Sequence, residues 1–508
     1  MISIILLSVL GLVTLFMGFN KNQKVLMPAV LFFLAAVLVA NLVDWNQSQT
    51  YFNNMMTIDN FAVAFTAVVV VSTMLLIPFS RRYQDQLDPH LAEYYALLLF
   101  ALVGAMMIVS YEHLLMLFIG IEILSISSYV LAGADKTNVR SNEASLKYFL
   151  MGAFATGILL FGFALVYGAT RTFYIAEIAA AGVAAGTFSP MLGMGLLFIL
   201  IGIGFKVSAA PFHFWTPDVY EGSPTFFTMF ISTVVKTAGF AGFYKLLAVS
   251  FSGVYSFWYP TLLGMTVLTL IIGNIGAVTQ GSVKRMLAYS SISHAGYLMI
   301  ALVAFNVRSV NAIIFYSLAY SVATIASFGI LKLVADQRNG DESYEAFNGL
   351  ARTNPMLAVV MTISMCSLAG IPLTAGFFGK LFIFTAAFDT TLDRPLLWLI
   401  VLAILLATVG IYYYFRVVIA MFMKEPVGGV PTAVVVPAKV PVQLYGEEHR
   451  MGQGTALAEV EVLQEEEEVI PQAYPAIQVD GLTQLALLLT AIITVVLGVV
   501  PGLVSGLL

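Results

Sequence analysis

Long apolar runs dominate the chain, and short polar or basic links divide them. A helix needs about 20 consecutive apolar residues to cross the hydrocarbon core of a bilayer. About fourteen stretches meet that criterion, at roughly 2–18, 25–43, 58–79, 93–110, 113–131, 146–167, 190–210, 224–249, 257–280, 285–304, 310–334, 355–388, 396–422 and 482–505. The segment 174–187 is too short to cross and reads as a surface helix or loop. The N-terminal run MISIILLSVLGLVTLFMG has no basic residue before it, and Lys21 and Lys24 follow it. That order is wrong for a signal peptide, so the run reads as a first span.

Two spans are interrupted. The seventh breaks around Ala209-Ala210-Pro211, and the twelfth, SLAGIPLTAGFFGK, breaks around Gly370-Ile371-Pro372. Proline lacks the N–H and breaks the helical ladder, and in lipid the freed carbonyls must find partners inside the protein. The breaks lie five spans apart, so the two segments run in opposite directions, as inverted repeats require. The pattern predicts an all-α polytopic membrane protein of about 14 transmembrane helices, with two inverted five-helix repeats that each hold a broken helix. The expected boundaries are a three-helix flank at 1–92, repeats at 93–250 and 251–424, a loop insertion at 425–478 and a last helix within 479–508. The insertion is rich in proline and valine and carries the acidic run Glu465–Glu468, which reads as a solvated cytoplasmic loop.

Basic residues set the orientation. With this span count, Lys24, Arg81, Lys136, Arg140, Lys284, Arg285, Arg338 and Lys424 fall on one side, while the other holds little beyond Arg171, Lys245, Arg308 and Arg394. The first side is expected to be cytoplasmic, with both termini outside. Composition agrees: 60% of the 508 residues are hydrophobic and 10% are charged, against about 25% charged in soluble domains. The net charge of −5 gives no reason to expect nucleic acid. Cys366 is the only cysteine, so the chain has no internal disulfide and no cysteine cluster for zinc or iron–sulfur. No GxGxxG or GxxxxGK[ST] motif occurs, so any redox cofactor or nucleotide belongs to other chains.

Against this apolar background a few ionisable residues sit within spans. Glu122 lies in the fifth, with Ser125 and Tyr129 on its face. Lys206 precedes the break in the seventh, Lys236 lies in the eighth, His294 in the tenth behind Ser290 and Ser291, and Lys380 follows the break in the twelfth. Each such charge costs about 2.5–3.5 kcal/mol at mid-bilayer, so it is paired or faces water. A row of Lys, Glu and His with water between them can pass protons. A carboxylate that arrives and departs switches a buried lysine between holding and releasing its proton. The plainer readings are a static Glu122–Lys206 pair, a snorkelling Lys236, an interhelical hydrogen bond at His294 and a structural Lys380. His213, Asp218 and Glu221 are placed near the cytoplasmic mouth, as candidates for proton entry or as a structural turn. They lack the compact spacing of metal ligands. Phe212, Phe214 and Trp215 read as interface anchors.

HFWTPDVYEGSPT at 213–225, KYFLMGAFATGILLFGFALVYGATRT at 147–172, VKRMLAYSSISHAGYLM at 283–299 and SLAGIPLTAGFFGK at 367–380 resemble the antiporter-like membrane subunits of respiratory complex I. The likeness is nearest to the bacterial N type, the counterpart of mitochondrial subunit 2, and is strong over roughly 55–425. It implies a fourteen-helix subunit of a membrane arm in the bacterial inner membrane, beside other antiporter-like subunits. It implies that Glu122 pairs with Lys206, that Lys236 lies on a central polar axis, and that His294 and Lys380 belong to a terminal half-channel. Proton movement would be driven by quinone reduction elsewhere, with NADH, FMN, iron–sulfur clusters and quinone on other subunits. The 425–478 insertion is longer than the family's usual connection, and the chain ends soon after its last span, unlike the distal subunit with its lateral helix. Two rival readings stay open: a subunit of a multisubunit cation/proton antiporter, and a free-standing transporter with a ligand-sized pocket at the breaks.

Overall fold

The computed structural model describes residues 1–19, 23–83, 90–184, 189–389, 396–425 and 475–505. The 425–478 insertion, apart from its ends, lies outside the described residues, as does the acidic run Glu465–Glu468. The architecture is helical, with one two-stranded antiparallel hairpin, β1 (Gln49–Tyr51) and β2 (Met56–Ile58).

The helices follow the apolar runs. They are α1 (Ile2–Met17), α2 (Leu26–Val43), α3 (Asn60–Leu76), α4 (Leu91–Ser110), α5 (Leu114–Ala132), α6 (Val139–Thr170), α7 (Ile175–Ala184), α8 (Pro190–Lys206) and α9 (Trp215–Gly222). Next come α10 (Thr225–Ser250), α11 (Tyr255–Val278), α12 (Val283–Ala304), α13 (Val307–Gln337), α14 (Pro355–Ala369), α15 (Ala375–Phe388), α16 (Leu397–Met423) and α17 (Gly481–Val499). Among the described residues, eleven helices are long and apolar enough to cross a membrane. Four shorter apolar helices are α1, α8, α14 and α15, of which the last three flank the two breaks. Within the 174–187 segment the described residues form the short helix α7, as expected.

Polar side chains mark where several helices begin. Asp59 accepts from the Ala62 N–H at 2.9 Å, Asn138 from Arg140 at 3.0 Å and Asp480 from Thr483 at 3.2 Å. Asn306 and Ser309 form a reciprocal capping box. Such caps satisfy amide groups that have no partner within the helix.

Burial separates a central layer from a lipid-facing one. In α10, α12 and α13 94% of the most apolar window is buried, against 33% in α2 and α16. Apolar side chains gain nothing by leaving lipid for a bundle, so helix association there rests on close packing. Gly162 of α6 and Gly195 of α8 show this: a Cβ on either would stand 2.9–3.0 Å from the other's carbonyl oxygen. Helices α10, α12 and α13 carry Lys236, Lys245, Lys284, His294 and Lys332 among the buried ionisable residues, so they place ionisable chemistry in the interior of the bundle.

Candidate functional site

Both breaks lie where the prolines indicate, and both satisfy their freed backbone locally. At the first, residues 207–214 join α8 to α9. The Ala209 N–H reaches Gly204 O at 2.8 Å, Trp215 Nε1 donates to Phe205 O at 3.0 Å, and the Ala210 N–H donates to Thr269 Oγ1 at 2.8 Å. At the second, α14 ends at Gly370, whose φ of +85° suits glycine, and α15 starts at Ala375. Gly376 N donates to Ser367 Oγ at 3.1 Å.

The lysines fall into two sets. Lys206, Lys236 and Lys380 are 3–7% exposed, and none has a carboxylate of the described residues within 4.0 Å. Neutral oxygens hold them instead. Lys206 Nζ donates to Ser125 Oγ at 2.7 Å and Tyr129 Oη at 2.9 Å. Lys236 Nζ donates to Ser291 O at 2.7 Å and Ser291 Oγ at 2.5 Å. Lys380 Nζ donates to Leu368 O at 3.0 Å and Ala369 O at 2.7 Å, across the break from its own helix. By contrast, Lys245, Lys284 and Lys332 pair with Glu112 (2.9 Å), Glu342 (3.1 Å) and Asp336. An ammonium held only by neutral oxygens has no fixed counter-charge, so its protonation answers to charges that come and go nearby.

His294 sits between the second and third of these amines. Its Nδ1 is 2.6 Å from Tyr316 Oη and its Nε2 3.1 Å from Tyr414 Oη. Tyr320 Oη donates to the same Ser291 Oγ that receives Lys236, and its ring lies 4.8 Å from the His294 ring. Lys380 Nζ stands 5.0 Å from the centre of the Tyr297 ring, which lies 6.1 Å from His294. Hydrogen bonds and a ring contact thus join Lys236 to His294, and Lys380 adjoins them through the Tyr297 ring. A cavity with room for about one water adjoins His294, Tyr316, Ser367 and Gly376.

Between Lys206 and Lys236 runs an aromatic strip. Tyr129 meets Tyr148 edge-on at 4.7 Å, Tyr148 stacks on Trp215 at 4.6 Å, and Trp215 meets Tyr220 at 6.1 Å. Lys236 Nζ lies 5.8 Å from the Tyr220 ring. The hydroxyls of Ser208 and Thr216, nearby in sequence, are buried without a hydrogen-bond partner among the described residues, and water can satisfy such groups.

Three sequence expectations change. Trp215 is not an interface anchor: it is 1% exposed and packs in this strip, whereas Phe214 is 69% exposed. Glu122 makes no ion pair with Lys206. It is half-buried, its Oε1 has no hydrogen-bond partner, and Ser125 and Tyr129, further along the same helix, take the ammonium. The candidate entry group divides. Asp218 and Glu221 meet around Arg285, at 3.1 and 2.5 Å, and Lys147 joins Asp218 at 2.9 Å, in a wide cavity that Arg140 and Glu143 also line. His213 is buried apart from them, against Phe214, with Nδ1 unbonded. Burial alone would raise the Asp218 carboxyl, but Lys147 and Arg285 outweigh it and hold the carboxyl below its ordinary value. The tyrosines at 297, 316, 320 and 414 were missed because an interior tyrosine reads like core. Only the polar stripe around Ser290 and Ser291 hinted at partners there.

A polytopic helical bundle with two broken helices and buried amines along its interior is the build of an antiporter-like membrane subunit. The chain belongs to the NADH:quinone oxidoreductase/Mrp antiporter transmembrane family, whose model matches residues 112–410. NADH-quinone oxidoreductase subunit N of Cytophaga hutchinsonii is 40% identical over 84% of this chain and 91% of its own length. NAD(P)H-quinone oxidoreductase subunit 2 of Rippkaea orientalis is 38% identical over 83% of this chain and 82% of its own. A chain of respiratory complex I from Thermus thermophilus superposes with a TM-score of 0.75 at 28% identity, covering 99% of this chain and 98% of that one. A chain of the Mrp complex from a Dietzia species has a TM-score of 0.82 at 22% identity, covering 100% and 95%, and shares the fold.

Proposed function

We propose that this chain is a proton-translocating membrane-arm subunit of a bacterial NADH-quinone oxidoreductase. The observation that carries the reading is the partition of lysines: three buried amines with no carboxylate of the described residues within 4.0 Å, against three others that pair with one. Structural buried charges are normally paired, whereas amines bound by hydroxyls and carbonyls suit groups that change protonation state. Lys206, Lys236, His294 and Lys380 form the relay, with Tyr129, Ser291, Tyr316 and Tyr320 as its hydrogen-bonding links. Glu122 acts on Lys206 at longer range or after a side-chain movement. Asp218 and Glu221, held by Lys147 and Arg285, stabilise the entry mouth.

In this reading the two halves of the second broken span count as one crossing, and α1 and α8 as one each, which gives about fourteen crossings in two inverted repeats. The Asp218 side is cytoplasmic and both termini lie outside, in the inner membrane. The neighbours are other membrane-arm subunits, and the redox cofactors and quinone reside on other chains. The test is the purified, reconstituted complex carrying Lys206→Met, with proton pumping measured beside the quinone reductase rate. Loss of pumping per quinone reduced supports the reading. Unchanged pumping in a normally assembled complex refutes it, and a chain that co-purifies only with antiporter subunits transfers it to the cation/proton antiporter class.

A further inference from the structure

One buried ion pair has no part in the relay. Lys245, near the end of α10, is 8% exposed at its side chain and lies 2.9 Å from Glu112, which is 25% exposed. Lys245 stands nine residues beyond Lys236, about 13 Å further along the helix, on the side of the bundle opposite Asp218. An exposed pair of this kind needs no explanation, but a buried lysine at this depth does.

Glu112 is set in a stitched scaffold. Its N–H donates to Met55 O at 2.9 Å, beside the β-hairpin, and its carbonyl accepts from the Ile175 N–H at 3.0 Å. Lys245 Nζ lies 5.5 Å from the centre of the Tyr111 ring, and the Tyr111 hydroxyl donates to Gly242 O at 3.0 Å, one turn before Lys245. On its inner side Gly242 lines a small cavity with Gly239, Ile108, Leu117, Ser125 and Lys206. The cavity has room for about one or two waters. It opens where Gly239 and Gly242 lack side chains; a Cβ on Gly242 would come 2.6 Å from the Ile108 side chain. Lys206 therefore lines the same cavity as Gly242, and the Tyr111 hydroxyl on Gly242 O joins that wall to the Lys245–Glu112 pair.

We propose that the Glu112–Lys245 pair, seated on Tyr111, is a lock that seals the Lys206 cavity from the face opposite the Asp218 cluster. While the pair is closed, the neutralised ends and the Tyr111 ring leave no water path outward. When it parts, Lys206 gains access to that face, so the pair sets the side to which the first half of the subunit can open. The inference rests on the proton-translocation reading and adds to it the element that prevents back-leak.

The test uses the reconstituted complex carrying Glu112→Gln or Lys245→Gln, and the exchanged pair Glu112→Lys with Lys245→Glu. Proton pumping per quinone reduced and the decay of the pH gradient after NADH is exhausted are read beside the quinone reductase rate. The expected result is faster gradient decay and fewer protons per quinone in each single variant, with reductase retained and tight coupling recovered in the exchanged pair. Wild-type gradient decay in an assembled single variant overturns the lock. Should the single variants fail to assemble, Tyr111→Leu decides: it removes the ring on which the pair is seated, and wild-type gradient decay there also overturns the proposal. Lys206→Met in the same preparation separates the two claims. If it abolishes pumping while the lock variants do not leak, only the lock fails; if it leaves pumping intact, the relay reading fails.

Discussion

Ser125 and Tyr129 provide the sharpest test of how the relay holds Lys206. Each gives the buried ammonium one neutral acceptor, at 2.7 and 2.9 Å. A hydrogen bond to a charged group contributes about 1.5–3 kcal/mol, and each 1.4 kcal/mol is about a factor of ten. Ser125→Ala or Tyr129→Phe alone should therefore depopulate the docked ammonium by about 10–150-fold. The two contacts share one donor, so the double variant is expected to fall short of the product of the singles. The assay is proton pumping by the reconstituted complex, normalised to quinone reduced. Pumping should fall in each single variant and fall furthest in the double, with the quinone reductase still assembled and active. Glu122→Gln is the internal comparison. It leaves both contacts to Lys206 in place and removes a charge that makes no ion pair with the ammonium, so its loss should be smaller than that of the double variant. Wild-type stoichiometry in the double variant, or a larger loss in Glu122→Gln, would refute this account and restore the glutamate as the direct partner.

Gly376→Ala should disturb the second break, because the new Cβ would stand 1.8 Å from Ser367 O and 2.6 Å from Ser367 C, backbone atoms that cannot swing aside. Overpacking of this kind costs about 1–3 kcal/mol or more, read as a lower Tm or poorer assembly of the complex, while Gly264→Ala, with nothing within 4 Å, should be close to neutral. Asp218→Asn should lower thermal stability at neutral pH. The Asp218 carboxyl is depressed in the folded chain, so its contribution is full above the unfolded value of about 3.9 and is lost as pH falls through the lower folded one. The gap between wild type and variant in a Tm-against-pH series should accordingly close below about pH 4, and a gap that persists there would exclude the ion cluster as its source.

How far the sequence carried the site depends on the range of each interaction. Proline and glycine act on their own backbone, so Pro211 and Gly370 located both breaks without tertiary information. Charged residues in apolar runs are costly wherever they end up, so Lys206, Lys236, His294 and Lys380 stood out by composition alone, and all four are buried. Their partners were not legible in the same way. Tyr129 lies 77 positions from Lys206, and Tyr414 lies 120 from His294. A tyrosine on a helix gives no sign whether its hydroxyl will meet an amine, a carbonyl or lipid headgroups. Trp215 failed for that reason: in a run of aromatics after a proline it reads as an anchor, yet the turn into α9 carries it inward while Phe214 stays outside.

The apparent mismatch between the two breaks has a physical resolution. In sequence Lys206 precedes its break and Lys380 follows one, which argues against equivalent roles. In the structure Lys206 belongs to the last turn of α8, and Lys380 reaches back across its break to the carbonyls of Leu368 and Ala369 in the last turn of α14. Lys206 Nζ, however, is held by Ser125 Oγ and Tyr129 Oη of α5, so only Lys380 Nζ sits at the C-terminal end of the half-helix before its break. That end carries the negative pole of the helix dipole and carbonyls without intrahelical partners. Lys380 thus serves the end of α14 from the far side of its break, whereas the last carbonyls of α8 accept backbone N–H groups and the Trp215 indole, which leaves Lys206 free to reach α5. Gly370 keeps the second setting open, since a Cβ there would come 2.8 Å from the Lys380 side chain. Each break therefore ends a dipole inside the bundle, and the second also makes room for a cation at that negative pole.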